Sequence, residues 1–149
     1  MRLIRRMSEK DLTQAEEIGK SLNGESWSAK AFRDSMDRPE ACFMVLAEEE
    51  DDRSEVLGYC VGTHVLDEAE IVSVAVRPDL RGRGLGKELL GGYVSCLKDL
   101  GIHHVVLEVR EGNVPARKLY EGAGFRSAGI RKNFYSQPDE NAVTMCLEM

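Results

Sequence analysis

The stretch Arg81-Gly82-Arg83-Gly84-Leu85-Gly86-Lys87 places three glycines and three cations between an apolar run that ends at Pro78 and an amphipathic run that begins at Leu85. If the second run is a helix, its first backbone N–H groups lack intrahelical partners and carry partial positive charge. Glycines let the main chain approach a ligand without side-chain clashes. The result is a cradle for an anion, reinforced by Arg81, Arg83 and Lys87. It is not a P-loop: the spacing from Gly82 to Gly86 is one residue short, and Glu88 stands where Ser or Thr is needed. Nor is it the dinucleotide pattern GxGxxG, which would require Gly where Lys87 stands. Taken alone, such a turn can also be a loop without a ligand.

A second chemical feature is Glu108, a carboxylate inside the apolar run from His103 to Arg110. If that strand is interior, burial would raise the carboxyl pKa and suit it to general-base work. A strand Glu facing solvent is the plain alternative. The cysteines Cys42, Cys60, Cys96 and Cys146 form no CxxC motif, and each lies in apolar sequence, so they read as buried, reduced thiols. His64, His103 and His104 have no metal-ligand spacing, so no metal is expected.

These groups need elements to position them. Leu3 to Arg6 predicts a short strand. Ser8-Glu9-Lys10-Asp11 resembles a capping box, followed by Leu12, Ala15, Ile18 and Leu22 at helical spacing. Asn23-Gly24 is the expected stop, and Ser28 the expected cap of a second helix through Met36. Strands are predicted over 41–48, 55–65 and 70–77. The last is nearly unbroken in its apolar character, which predicts burial on both faces. The acidic run Glu48-Glu49-Glu50-Asp51-Asp52 between the first two reads as a solvated turn.

Downstream the pattern alternates. Leu85, Leu89, Leu90, Tyr93, Val94 and Leu97 predict an amphipathic helix ending at Gly101. The Gly91-Gly92 pair inside it costs about 1 kcal/mol per residue relative to Ala, so close backbone packing is expected there. A strand over 103–110, a short helix over 113–121 and strands over 124–130 and 141–149 complete the chain. A meander followed by strand–helix–strand predicts one α/β (α+β) domain spanning residues 1–149, with a mixed sheet carrying helices.

Bulk properties agree. The 149 residues suffice for one domain core, and 42% apolar with 31% charged residues is an ordinary globular mix. A net charge of −6 argues against nucleic acid as a direct partner and suits a cationic one. No apolar run approaches the ~18 residues of a membrane span, and the basic N-terminus is not followed by an apolar signal region, so no membrane partner and a cytoplasmic location are expected.

The spacing Arg81-x-x-Gly84-x-Gly86 after Val72-Ser73-Val74-Ala75-Val76-Arg77-Pro78 resembles the coenzyme A pyrophosphate loop of the GNAT superfamily of N-acetyltransferases. Further residues carry the resemblance: Leu107-Glu108-Val109-Arg110, Asn113, Ala116, Leu119-Tyr120-Glu121, Gly124-Phe125 and Arg131-Lys132-Asn133-Phe134-Tyr135. In detail the chain is most similar to the RimI-type ribosomal-protein-alanine N-acetyltransferases, firmly over 69–149 and weakly over the first third. Trp27-Ser28 echoes the same pattern, with Ser26 where many relatives have Pro.

The resemblance implies a GNAT fold, a mixed six- to seven-stranded sheet flanked by about four helices. It implies acetyl-CoA as cofactor, gripped by Val74, Ala75, Val76, Arg81, Gly82, Arg83, Gly84, Leu85, Gly86, Lys87, Asn113 and Tyr120. Backbone groups of Val74 and Val76 would pair with the pantetheine arm, and one N–H could stabilise the oxyanion. It makes Glu108 the general base, directly or through water, and Tyr120 the group at the departing sulfur. A Tyr near ~10 and a thiol near ~8.5 make full proton transfer uphill, so a hydrogen bond to the thiolate is an alternative role. Asn113 caps a helix in either case, and Trp27 and Tyr135 would contact the acceptor.

The acceptor implied is the N-terminal alanine amine of a small-subunit ribosomal protein, reached by direct transfer in a ternary complex. An α-amine near pKa ~8 is about a tenth neutral at pH 7, whereas lysine near ~10.4 is neutral at well under a thousandth, so the α-amine needs less help. A small-molecule amine or another protein N-terminus is the nearest alternative acceptor. A non-catalytic acyl-CoA-binding regulatory module is the alternative of another class.

Overall fold

The computed structural model describes residues 1–22 and 26–149, so the expected helix stop at Asn23-Gly24 lies outside the described residues. Strand β1 (Arg2–Arg6) leads through a single 3-10 turn into α1 (Leu12–Gly19) and then α2 (Ala29–Met36). The meander follows as β2 (Ala41–Glu50), β3 (Arg53–Val65) and β4 (Glu68–Val76). Helix α3 (Leu85–Asp99), β5 (His104–Arg110), α4 (Val114–Gly122), β6 (Arg126–Tyr135) and β7 (Glu140–Glu148) complete the chain. Among the described residues seven strands form one mixed sheet in the order β1-β2-β3-β4-β5-β7-β6, and only the β4–β5 pair is parallel.

Two clusters bury the two faces. Leu85, Leu89, Leu90, Tyr93 and Leu97 of α3 lie against Met44, Leu46, Cys60 and Ile71 of the sheet. Leu12, Ala15 and Ile18 of α1 join Phe32 and Met36 of α2 over Phe43, Val45, Tyr59 and Ala75. Local signals fix the helix starts. Ser28 Oγ accepts from Ala31 N at 3.0 Å, and the Asp11 carboxylate accepts from Ser8 N at 2.8 Å. In α3 the five buried side chains contribute about 2 kcal/mol each, which far exceeds the ~1 kcal/mol that each internal glycine costs. Gly92 packs against Ile4 of β1, whereas Gly91 faces open space and has no packing reason to be glycine.

Strand β4 departs from expectation: it is not buried on both faces. Val61 pairs with Ser73 and Gly62 with Ile71, which leaves Val72 as an extra residue. This bulge switches the side-chain alternation. Ala69 and Ile71 point into the α3 cluster before it, Val74 and Val76 point the same way after it, and Val72 is 49% exposed.

Two further expectations are corrected. The run Glu48–Asp52 is not wholly a solvated turn: β2 continues to Glu50, and Glu49 pairs with Arg5. Strand β6 reaches Tyr135, so Arg131 to Tyr135 lies in a strand and not in the connection before the last one. Nine of its ten residues are exposed at the sheet edge, so no apolar alternation announces it.

Candidate active site

Strands β4 and β5 pair only from Glu68↔His104 to Ile71↔Leu107, and the bulge at Val72 follows immediately. Beyond it the two strands diverge and open a wedge in the middle of the sheet. Arg77 N donates to Leu57 O of β3 at 2.9 Å. Backbone directions alternate along a strand, so Val74 and Val76 turn their N–H and C=O groups the other way, into the wedge. Two strand-edge residues without a strand partner among the described residues thus face the opening, as an extended amide chain would require.

A cavity of about 480 Å³ occupies one end of the wedge, lined by Val74, Ala75, Val76, Arg81, Gly82, Gly84, Leu85, Gly86, Asn113 and Tyr120 among others. A second, of about 320 Å³, lies beyond it and is lined by Trp27, Glu70, Val74, Glu108, Arg110, Asn113, Tyr120 and Tyr135 among others. Val74, Arg110, Asn113, Ala116 and Tyr120 line both, so the two spaces meet where the strands part.

The glycine turn closes the first cavity. Gly82 (φ 81°) and Gly84 (φ 79°) are left-handed, a conformation costly for residues with a Cβ. Gly84 is the N-cap of α3 and offers no side chain to its first turn. The Glu88 N–H bonds back to Gly84 O at 3.1 Å, so the N–H groups of Leu85, Gly86 and Lys87 precede the helical ladder. Gly86 lies against Leu119, where a Cβ would make ordinary contact at 3.4 Å. Arg81 reaches across and donates to Ser21 Oγ at 2.9 Å. The Leu85 side chain is buried in the core, so its contribution to the turn is its backbone. Arg83 and Lys87 are exposed and line neither cavity.

Glu108 alternates out of the α3 cluster and its side chain is 16% exposed. Its surroundings are polar, unlike those an apolar strand interior suggests. Oε2 accepts from Thr144 Oγ1 at 2.6 Å, and Oε1 lies 3.4 Å from Arg131 Nη1. Tyr120 is 8% exposed and packs edge-on against Phe125 at 5.9 Å. Asn113 Oδ1 accepts from Ala116 N at 3.2 Å, so it caps α4 while lining both cavities. Trp27 stacks on Phe32 at 5.3 Å and borders the second cavity. Tyr135 also borders it, with the Arg110 guanidinium 4.4 Å from its ring centre.

Three contributors carried no assignment from sequence. Arg110 donates to Pro138 O at 2.9 Å and Ser136 O at 3.2 Å, tying the β6–β7 turn to the cavity wall. Thr144 and Arg131 hold Glu108 from β7 and β6. The residue after Glu108-Val109 was visible in the motif, but its partners depend on a strand order that no local signal gives. Among the described residues no group of three or more His, Cys, Asp or Glu could hold a metal ion, and no helix is long and apolar enough to cross a membrane.

Known proteins resemble this chain in sequence and fold. The acetyltransferase (GNAT) family matches residues 8–125. The ribosomal protein bS18-alanine N-acetyltransferase of Salmonella typhimurium is 36% identical over 149 residues, covering 99% of this chain and 97% of that protein. That of Haemophilus ducreyi is 33% identical over 148 residues, covering 97% and 99%. The crystal structure of the ribosomal-protein-S18-alanine N-acetyltransferase from Escherichia coli superposes with a TM-score of 0.85 at 31% identity, covering 99% of this chain and 94% of that one. With a family match over most of its length and relatives aligned nearly end to end, this chain belongs to the acetyltransferase (GNAT) family.

Proposed function

We propose that this acetyltransferase moves the acetyl group of acetyl-CoA onto the N-terminal α-amine of a protein, an alanine-starting ribosomal protein, in the cytoplasm and without a metal. The observation that carries the reading is that Glu108 and Tyr120 line one cavity, which joins the glycine-turn cavity at the β4–β5 wedge. When bound, acetyl-CoA supplies the activated thioester. The backbone of Gly82, Gly84, Leu85 and Gly86 with Arg81 would hold its diphosphate, and the open edges of Val74 and Val76 would pair with its pantetheine amides. Arg83 and Lys87, exposed on the same turn, add positive field. Ala75 and Asn113 both line the cavity assigned to the cofactor in this reading.

Glu108 accepts the proton of the attacking amine, directly or through water, as the N–C bond forms. Tyr120 would donate a hydrogen bond or proton to the departing sulfur, and a Val74 or Val76 N–H would stabilise negative charge developing on the acetyl oxygen. Trp27 and Tyr135 border the space for the acceptor's first residue. The ribosomal acceptor is supported by the activity that the relatives' names give. Thiol release with alanine-starting peptides, lysine side chains and polyamines tests it, together with N-terminal mass spectrometry of ribosomal proteins with and without the enzyme. Preferred turnover of a polyamine or lysine would overturn it.

A further inference from the structure

Glu108 and Thr144 are direct partners across the β5–β7 ladder. The Thr144 hydroxyl donates to Glu108 Oε2 at 2.6 Å, whereas among the described residues Oε1 has the long contact to Arg131 at 3.4 Å. Thr144 itself lines neither cavity. We propose that Thr144 is a positioning residue, fixing one oxygen of Glu108 so that the other is presented to the acceptor amine. This rests on the reading of Glu108 as the base.

The geometry suits the task. A β-branched side chain in a strand has restricted χ1, so the backbone of β7 aims the hydroxyl. A glutamate carboxylate left alone turns freely about its last torsion. With Oε2 engaged, the lone pairs of Oε1 remain for the amine proton. When Oε1 takes that proton, Oε2 becomes the carbonyl oxygen and still accepts from Thr144. The bond therefore persists through the reaction and needs no rearrangement. On the other side, the Arg131 side chain is 59% exposed and stands over the Phe134 ring at 4.6 Å. An exposed ion pair is weak, so Arg131 yields its place to an incoming amine.

The test compares Thr144→Val, Thr144→Ser, Glu108→Gln and the Thr144→Val/Glu108→Gln double variant, with thermal melts confirming the fold. Valine suits a strand, and Thr144→Ala replaces it if the extra methyl does not fit. Thr144→Val should lower kcat about tenfold, the worth of one hydrogen bond to a charged group, with both KM values within about twofold. Thr144→Ser should restore most of the rate, and Thr144→Val should cost nothing further in the Glu108→Gln background. Wild-type kcat in Thr144→Val beside a slow Glu108→Gln overturns the positioning role and leaves the base standing. Multiplying losses in the double variant also overturn it, since Thr144 would then act through the fold. Wild-type turnover in Glu108→Gln removes the base and this proposal with it.

Discussion

Ile4 of β1 approaches α3 so closely at Gly92 that a Cβ on the glycine would lie 2.0 Å from the Ile4 Cδ1 atom. Gly91, the preceding residue, faces open space. The pair therefore separates helix propensity from packing. Gly91→Ala should stabilise the protein by about 1 kcal/mol, the ordinary propensity gain. Gly92→Ala gains the same propensity but must turn the end of the Ile4 side chain aside, so it should stabilise less than Gly91→Ala. Removing the offending methyl with Ile4→Val should relieve Gly92→Ala, a non-additivity readable in urea denaturation of the two single variants and the double.

Glu108 and Tyr120 reach the same cavity from a strand and a helix, and their substitutions should differ in kind. Glu108→Gln keeps the shape and removes the base, so kcat should fall about 10²–10³-fold at neutral pH while acetyl-CoA affinity stays within about twofold. Part of the rate should return at high pH, where more of the amine is already neutral. An unchanged pH–rate profile would exclude the base role. Tyr120→Phe keeps the edge contact to Phe125 and removes only the hydroxyl, so the protein should still fold while turnover falls.

The glycine turn makes an ordered prediction about cofactor binding. Gly84 is left-handed with nothing within 4 Å of an added Cβ, so a substitution there is penalised by the backbone and not by a clash. Gly84→Val should cost about 1–3 kcal/mol in the free protein and displace the N–H groups that follow. Combined with Arg81→Ala, it should abolish measurable coenzyme A binding in calorimetry. Gly86→Ala meets Leu119 only at contact distance and should bind nearly as wild type. Full-strength binding by the Arg81→Ala/Gly84→Val variant would defeat the cradle.

These contrasts show which parts of the fold speak through local sequence. Ser28 and Asn113 announce their helices because a cap is a contact over three residues. The glycine turn is legible because its conformation excludes most side chains. The bulge at Val72 is silent, since a valine within an apolar run fits a regular strand as well. The placement of β7 between β5 and β6 is also silent, because register between distant strands is set by the assembled sheet. Glu108 and Arg131 were therefore visible as residues, while their contact, and the part played by Thr144, were not.

The Arg5–Asp11–Glu49 network should govern acid stability. Arg5 donates to both Asp11 oxygens at 2.7 and 2.8 Å and also engages Glu49, joining β1, the first helical turn and β2. Burial alone would raise the Asp11 carboxyl, but the Arg5 guanidinium and the Ser8 N–H and hydroxyl outweigh it and hold it below the usual carboxylate range. Arg5 likewise lowers Glu49. Both folded-state values lie below the unfolded ones. Their stabilisation is therefore fully present above about pH 4–5 and is lost as pH falls through the folded values. Urea midpoints should stay level from neutrality to about pH 5 and then decline. Asp11→Asn leaves the mostly buried Arg5 without its fully buried partner and should cost about 3 kcal/mol at pH 7, and less in acid. A loss that is the same at pH 7 and pH 3 would mean that packing, and not the charge, is what Asp11 contributes.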